Sequence, residues 1–334
     1  MTEMPLSPAP GSPRRSEAET GSTPASASAS PEAPGPAATG PIGQLRLIAA
    51  DIKLSHSIFA LPFALWAAFL APAIDGRLPG AVALALVVVC MVLARTFAMT
   101  VNRWADAGLD ASNPRTAGRA LPSGRLRPAA MLGAAAAGSL GLIAAAAGFW
   151  LLEANPWPLL LSPLVLAWLA LYSFTKRFTW ACHLVLGVTI GAAAAGGWIA
   201  VSGAFAPGAW WLWLAVAAWV AGFDVIYALL DLDFDRAHGI RSVPARFGAV
   251  AARWTAFAAH VVAWLAFAGA ALVTAQGPPG WLGLVLVAIL FAFQHRLVAT
   301  RGPAEALRAF DANLWVGLVV LASVTLDLAW RANG

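Results

Sequence analysis

The sequence predicts an all-α membrane protein with nine transmembrane helices. Of its 334 residues, 60% are hydrophobic and only 11% are charged, and the mean hydropathy is +0.73. Soluble domains carry about a quarter charged residues. The apolar residues are gathered in nine runs, each close to the roughly 20 residues that a helix needs to cross a bilayer. The length of the chain is therefore taken up by spans, and the lipid bilayer is its first expected partner.

The N-terminal region differs in composition from the rest of the chain. Residues 1–42 are rich in Pro, Ala, Ser and Gly. Such a segment buries too little apolar surface to offset the entropy lost on ordering. It also lacks the apolar core of a secretory signal peptide. We expect a disordered tail over residues 1–42 and a transmembrane domain over residues 43–334.

The spans follow one another through the second region, and Gly or Pro marks the breaks between them. The predicted spans are 54–73, 79–101, 129–152, 157–174, 182–202, 209–230, 250–274, 280–299 and 313–330. The two cysteines, Cys90 and Cys182, fall in these apolar stretches and match neither a disulfide framework nor a metal-binding spacing. We expect both to be packing residues.

The basic residues predict the orientation in the membrane. Most of the 21 Lys and Arg lie before the first span or in the loops after the second, fourth, sixth and eighth spans, whereas the opposite side has only Arg77 and Arg331. Basic loops remain in the cytoplasm. We therefore expect a multi-pass protein of the inner (cytoplasmic) membrane with a cytoplasmic N-terminus. The formal charge of +5 is explained by these loops and requires no nucleic-acid partner.

A first acidic motif, NRWADAGLD, ends the second apolar run. On a helix, residues four apart lie on one face, so Asn102, Asp106 and Asp110 form a polar stripe. Arg95 lies seven residues before Asn102 on the same stripe, deeper in the span. Carboxylates and guanidinium groups in or beside a membrane are costly, and they indicate function.

A second acidic motif, DVIYALLDLDFD, ends the sixth apolar run. With regular helical phasing, Asp224, Asp231 and Asp235 share one face and Tyr227 lies beside them. Asp233 points the opposite way and is not expected to be a ligand. Both motifs lie at predicted cytoplasmic span ends.

Two facing carboxylate stripes predict a magnesium and diphosphate site between two helices. Mg²⁺ prefers oxygen ligands and is usually bound through a few carboxylates together with substrate phosphates. Bound metal and basic side chains make a diphosphate a better leaving group. The available bases are Lys53, Arg95, Arg103, Arg115, Arg119 and Lys176.

The two motifs together resemble those of the UbiA superfamily of membrane prenyltransferases. NRWADAGLD is similar to its NxxxDxxxD motif, and the spacing of Asp231 and Asp235 is similar to its DxxxD motif. Asp224 and Tyr227 resemble the YDxxYAxxD lead-in of the 4-hydroxybenzoate polyprenyltransferase branch, with Phe223 in place of the usual Tyr.

Two further segments strengthen this resemblance, which runs from about residue 46 to residue 330. YSFTK, from Tyr172 to Lys176, resembles the family's YxxxK motif. The loop NPRTAGRALPSG resembles RTxxRPLPSG, with Ala120 in place of Pro. The resemblance implies a bundle around a central cavity that opens laterally to lipid. It also implies Mg²⁺-dependent transfer of a polyprenyl group from its diphosphate to an aromatic acceptor.

The resemblance implies a role for each motif residue. The expected ligands of Mg²⁺-diphosphate are Asn102, Asp106, Asp110, Asp231 and Asp235. The expected diphosphate contacts are Arg115, Arg119, Lys176 and Lys53. Tyr172 and Asp224 would lie near the allylic carbon or the acceptor, and they join the four motif aspartates as the expected catalytic set. Arg95 and Tyr227 complete the expected substrate-binding residues.

The finer placement leaves alternatives open. IKLSHSIFALPFALWAAFLA, NPRTAGR and GIRSVPARFG resemble a 4-hydroxybenzoate polyprenyltransferase-like subgroup. Some of its members serve menaquinone synthesis by the futalosine route, with a larger aromatic acceptor. A prenyltransferase for haem or chlorophyllide is one alternative. A cation-coupled transporter is another, although transporter sites usually lie near the bilayer midplane and these motifs lie at span ends among basic residues.

Overall fold

The secondary structure is helical throughout the described chain, which confirms the all-α class. The computed structural model describes residues 40–52, 61–74 and 76–333. Residues 1–39 of the expected tail, Lys53 and residues 54–60 of the first expected span lie outside these ranges. The first described helix begins at Pro41.

Eight of the described helical segments are long and apolar enough to cross a membrane. The apolar helix at Leu61–Ala73 is shorter and occupies the described part of the first expected span, so the nine expected spans correspond to eight long helices and this one. The α-helices are α1 Pro41–Asp51, α2 Leu61–Ala73, α3 Ala81–Ser112, α4 Pro128–Glu153, α5 Trp157–Thr175, α6 Cys182–Ser202, α7 Pro207–Tyr227, α8 Leu232–Ala237, α9 Val243–Val273, α10 Pro278–Arg301, α11 Ala306–Asp311 and α12 Asn313–Asn333.

Short connections make consecutive long helices run in opposite directions. The helices α3, α5 and α7 end at the side of the bundle where α4, α6 and α9 begin. We call this side the acidic end, because both acidic motifs lie there. The helix α3 continues through the whole first motif to Ser112, well beyond residue 101, where the apolar run ends.

The helix α7 lies at the centre of the bundle, between α6 and α9. Its Trp219 ring packs 4.6 Å from that of Phe63 on α2, and Trp66 packs 5.4 Å from Phe267 on α9. These rings are almost completely buried and join α2, α7 and α9 in one apolar core. The helices α3, α4 and α5 pack together on the other flank, and a cavity lies between the two groups.

Close helix contacts in this core depend on glycine. A Cβ atom at Gly197 on α6 would overlap the carbonyl oxygen of Ala64 and lie 3.0 Å from its carbonyl carbon, whereas a Cβ at Gly196 meets nothing within 4 Å. We expect Gly197→Ala to lower the free energy of unfolding by about 1–3 kcal/mol, a typical cost of overpacking. Thermal unfolding in detergent measures this, with Gly196→Ala as the matched control. Equal unfolding temperatures for the two variants would contradict the packing.

The helix that carries the second motif is interrupted. The α-helical part ends at Tyr227, Ala228–Asp231 form a 3₁₀ turn, and α8 resumes at Leu232. A 3₁₀ turn has about 3.0 residues per turn instead of 3.6, so the regular phasing is lost between Asp224 and Asp235. The expected single face of Asp224, Asp231 and Asp235 depended on that regular phasing, and it stays a prediction.

Candidate active site

The first motif presents Asp106 to the end of α5. The Asp106 side chain is only 4% exposed, and its Oδ2 accepts hydrogen bonds from Lys176 Nζ at 2.7 Å and from Asn102 Nδ2 at 3.2 Å. Arg177 Nη2 lies 3.5 Å from the other oxygen. The contact between Asn102 and Asp106 confirms that residues four apart share a face on α3. Asp106 is therefore a nearly buried carboxylate that is neutralised by cations from another helix.

The loop between α3 and α4 closes over the acidic end. Arg119 in this loop donates from Nη1 to both oxygens of Asp110, at 2.7 and 2.6 Å. Thr116 Oγ1 donates to the Asp110 carbonyl at 3.1 Å. The loop that follows the first motif thus folds back on it and places one guanidinium group on its last carboxylate.

The same loop also reaches the second motif. Arg115 donates to both oxygens of Asp231, from Nε at 3.1 Å and from Nη2 at 2.5 Å, and its Nη1 donates to the Tyr227 hydroxyl at 3.1 Å. Asn113 Nδ2 donates to Asp231 at 3.3 Å. Burial of the guanidinium lowers the pKa of Arg115, but the hydrogen bonds to Asp231 and the nearby negative charges outweigh this and raise the pKa above its ordinary value. Arg115 is therefore a permanent cation that connects the loop to the second motif.

Asp224 and Asp235 of the second motif have different partners. Asp235 is buried and accepts a hydrogen bond from Ser242 Oγ at 2.7 Å. Asp224 Oδ2 lies 2.6 Å from His183 Nδ1 at the start of α6. Among the aspartates of this motif, Asp231 is the one paired with an arginine of the loop that follows the first motif.

An apolar cavity of about 530 Å³ lies between α3, α5, α6 and α7. Arg95 and Tyr172 are in its lining. Tyr172 precedes Lys176 by one helical turn, about 6 Å along the axis of α5, so the cavity extends away from the acidic end below Lys176. The wall includes aromatic side chains, among them Phe149, Phe205, Trp210, Trp213, Trp219 and Phe223. The bundle thus combines a charged end with a long apolar interior.

Three of the expected magnesium ligands are paired with basic side chains. Within the part of the chain that the structure describes, no three His, Cys, Asp or Glu side chains converge as a metal site would require. Instead, Asp106, Asp110 and Asp231 each bind a Lys or Arg side chain. The donors are carboxylate and amide oxygens, which suit Mg²⁺. The set therefore fits this ion in its chemistry, and its carboxylates lie within reach of cations that can bind phosphate.

Comparison with known proteins identifies the family. The family model described as "UbiA prenyltransferase family" matches residues 60–317, which is most of the chain and includes both acidic motifs. The chain belongs to the UbiA prenyltransferase family.

The relatives of this UbiA-family chain agree with that assignment. The chain is 34% identical over 286 residues to a 4-hydroxybenzoate octaprenyltransferase from Chromohalobacter salexigens, covering 85% of this chain and 92% of the relative. It is 32% identical over 252 residues to the protein of the same name from Alkalilimnicola ehrlichii, covering 75% and 84%. The chain is therefore a membrane prenyltransferase rather than a transporter.

Solved structures show the same fold. The apo structure of a UbiA homolog from Aeropyrum pernix K1 is 33% identical and covers 82% of this chain and 98% of its own, with a TM-score of 0.74. A UbiA homolog from Archaeoglobus fulgidus, solved with DMAPP and Mg²⁺, has a TM-score of 0.63 at 16% identity and covers 84% and 99%. At that identity, the second likeness concerns the fold alone.

Several residues of this UbiA-family site were not expected from the sequence. Asn113, Arg177, His183 and Ser242 each contact a motif carboxylate. Arg103, one of the basic residues available to a diphosphate in the sequence, instead lies 3.7 Å from Asp51 of α1 and is largely buried. Asn113 is the first residue of the loop NPRTAGRALPSG and Arg177 directly follows YSFTK, so their positions in and beside these segments could have indicated them. No spacing signal marked His183 or Ser242.

Proposed function

We propose that this chain transfers a polyprenyl group from polyprenyl diphosphate to an aromatic acceptor of the 4-hydroxybenzoate type in quinone biosynthesis, with Mg²⁺ as cofactor. One observation carries the proposal: Lys and Arg side chains lie at the end of a cavity of about 530 Å³ that has apolar walls. A prenyl diphosphate has the same two parts, a highly charged head and an apolar tail. The names of the relatives supply the acceptor class.

The diphosphate head is proposed to bind at the acidic end. Arg115, Arg119 and Lys176 offer guanidinium and ammonium donors, and guanidinium groups match phosphate oxygens well. The proposed ligands for Mg²⁺ are Asn102, Asp106, Asp110, Asp231 and Asp235. When bound, Mg²⁺ would neutralise the diphosphate and make it a better leaving group. Lys53 is a further proposed diphosphate contact, from the sequence.

The aromatic acceptor is proposed to bind between the acidic end and the cavity. Arg95 is a cation in the cavity lining, and a carboxylate such as that of a hydroxybenzoate is its natural counter-ion. Tyr172 lies in the same lining. Tyr227 accepts a hydrogen bond from Arg115 at the proposed diphosphate-binding site, which we call the head site. The acceptor ring would thereby be held beside the first carbon of the prenyl chain, with Asp224 nearby.

The reaction is an alkylation of the ring. The bond between the first prenyl carbon and the diphosphate oxygen breaks, and its electron pair leaves with the diphosphate. A ring carbon of the acceptor forms the new bond and then loses its proton. Aromatic side chains of the cavity wall can stabilise the allylic cation through their π-faces. The charge bias of the loops supports placing this site at the cytoplasmic face.

A direct assay tests the proposal. Purified protein in nanodiscs is incubated with Mg²⁺, labelled geranyl or octaprenyl diphosphate and a panel of acceptors that includes 4-hydroxybenzoate, larger hydroxylated aromatic acids and benzoate. We expect a product with the mass of one hydroxylated acceptor plus one prenyl group minus one hydrogen. Diphosphate hydrolysis without coupling to any acceptor would contradict the proposal.

Removal of metal is expected to stop the reaction. Because the head site contains several carboxylates among its cations, a diphosphate lacking Mg²⁺ would face their uncompensated negative charge. We expect EDTA to reduce product formation to background and added MgCl₂ to restore it, whereas added CaCl₂ restores less because Mg²⁺ sites require tighter octahedral geometry. Undiminished turnover after exhaustive chelation would contradict the assigned cofactor.

A further inference from the structure

One buried histidine connects three helices at the acidic end. His183 is the second residue of α6 and is 5% exposed. Its Nδ1 lies 2.6 Å from Asp224 Oδ2 on α7, and its Nε2 accepts a hydrogen bond from the backbone N–H of Val243, at the start of α9, at 3.3 Å. The imidazole thus uses both nitrogens for different partners.

These two contacts determine the tautomer. Nε2 can accept from a backbone N–H only if it carries a lone pair, so in the neutral ring the proton is on Nδ1. Nδ1–H then donates to the Asp224 carboxylate. A hydrogen bond of this kind fixes the direction of the second carboxylate oxygen.

Along α7, Asp224 lies between residues of the cavity lining and a residue that contacts Arg115. Along α7, Phe223 and Val220 line the cavity on one side, and Tyr227, one turn further, contacts Arg115 on the other. The Asp224 side chain remains 25% exposed although His183 occupies Oδ2. Its position and residual exposure leave Asp224 available to a group that lies at the head of the cavity.

We propose that His183 is a positioning residue for the transfer reaction, orienting the Asp224 carboxylate so that its second oxygen accepts the proton of the aromatic acceptor. The inference rests on the proposed function. In the step, the ring carbon bonds to the first prenyl carbon, the diphosphate leaves with the electron pair of the broken bond, and the released ring proton moves to Asp224 and then to solvent. His183 changes neither bonding partner nor charge.

The geometry allows the two contacts of His183 to be separated. The side-chain amide nitrogen of an Asn can occupy the place of Nδ1, and the side-chain oxygen of a Gln can occupy the place of Nε2. We therefore expect His183→Asn to keep the Asp224 contact and lose the Val243 contact. We expect His183→Gln to do the reverse, and His183→Leu to lose both. A purely structural role for His183 would make the loss of the Val243 contact the harmful one.

The test compares these variants with the wild-type protein in the transfer assay. Loss of a carboxylate-orienting partner typically costs about 10–100-fold in activity, so we expect His183→Leu and His183→Gln to lower kcat about 10–100-fold, with the KM for prenyl diphosphate unchanged. His183→Asn should retain kcat to within about threefold. Equal loss in His183→Asn and His183→Leu, or a change confined to the KM for prenyl diphosphate, would overturn the inference.

A second measurement does not depend on turnover. The ¹⁵N chemical shifts of labelled histidine distinguish a protonated ring nitrogen from a bare one, and the signal lost in His183→Asn identifies His183 among the 5 histidines. We expect Nδ1 of His183 to be protonated and Nε2 to be unprotonated. The opposite tautomer would overturn the inference even in an active enzyme.

Failure of the inference and failure of the proposed function give different results. If the wild-type protein coupled no acceptor at all, the proposed function itself would fail. If the wild-type protein were active and the His183 variants were unaffected, only the inference about His183 would fail.

Discussion

Replacing Asp231 by Asn is expected to lower kcat/KM for prenyl diphosphate about 10²–10³-fold, the cost typical of removing one electrostatic group from a preorganised site. Asn keeps the shape of the side chain and removes its charge. Asp231 holds Arg115 through both carboxylate oxygens, so the change also frees the arginine that connects the loop to the second motif. Steady-state kinetics at saturating Mg²⁺ and acceptor measures the effect.

Asp233 provides a matched control two residues away. It is exposed on α8 and is not among the expected ligands. Asp233→Asn removes the same charge from the same short segment and is expected to retain wild-type kinetics. If Asp231→Asn were no more impaired than Asp233→Asn, Asp231 would have no role at the head site.

Replacing Lys176 by Met is expected to impair both folding stability and diphosphate binding. Lys176 Nζ is 2.7 Å from an Asp106 side chain that is only 4% exposed. Removing one partner of a buried ion pair typically costs about 3–5 kcal/mol. We expect about 2–3 kcal/mol here, below that range, because Arg177 remains 3.5 Å from the same carboxylate. Thermal unfolding in detergent measures the loss.

A double variant separates the two effects of Lys176. In Lys176→Met combined with Asp106→Asn, the buried charge left by the first change is removed by the second. We expect most of the lost stability to return, whereas binding of prenyl diphosphate stays weak because both the cation and the carboxylate are gone. Full recovery of binding in the double variant would show that Lys176 contributes only to stability.

The first motif could be predicted from the sequence because its helix is regular. From Ala81 to Ser112 the chain forms one uninterrupted helix, so periodicity placed Asn102 beside Asp106, as the structure shows. Hydrophobic runs likewise gave the long spans to within a few residues at most ends. In these stretches, local periodicity and tertiary structure agree.

The second motif could be predicted only in part. The 3₁₀ turn at Ala228–Asp231 is marked by no Gly or Pro in the sequence, and it interrupts the regular helical phasing of the motif. The contacts of His183 with Asp224 and of Ser242 with Asp235 join residues from different helices. Such contacts depend on how the helices pack, which a single sequence does not encode by spacing.

Coupling between the two motifs tests the central claim most directly. A thiodiphosphate analogue of geranyl diphosphate is titrated, with Mg²⁺, into wild type, Asp106→Asn, Asp231→Asn and the double variant. If the motifs form one Mg²⁺-diphosphate site, the losses in binding free energy are non-additive by about 0.5–3 kcal/mol, as for residues in one network. Additivity within about 0.3–0.5 kcal/mol, as for distant independent sites, would contradict a single shared site.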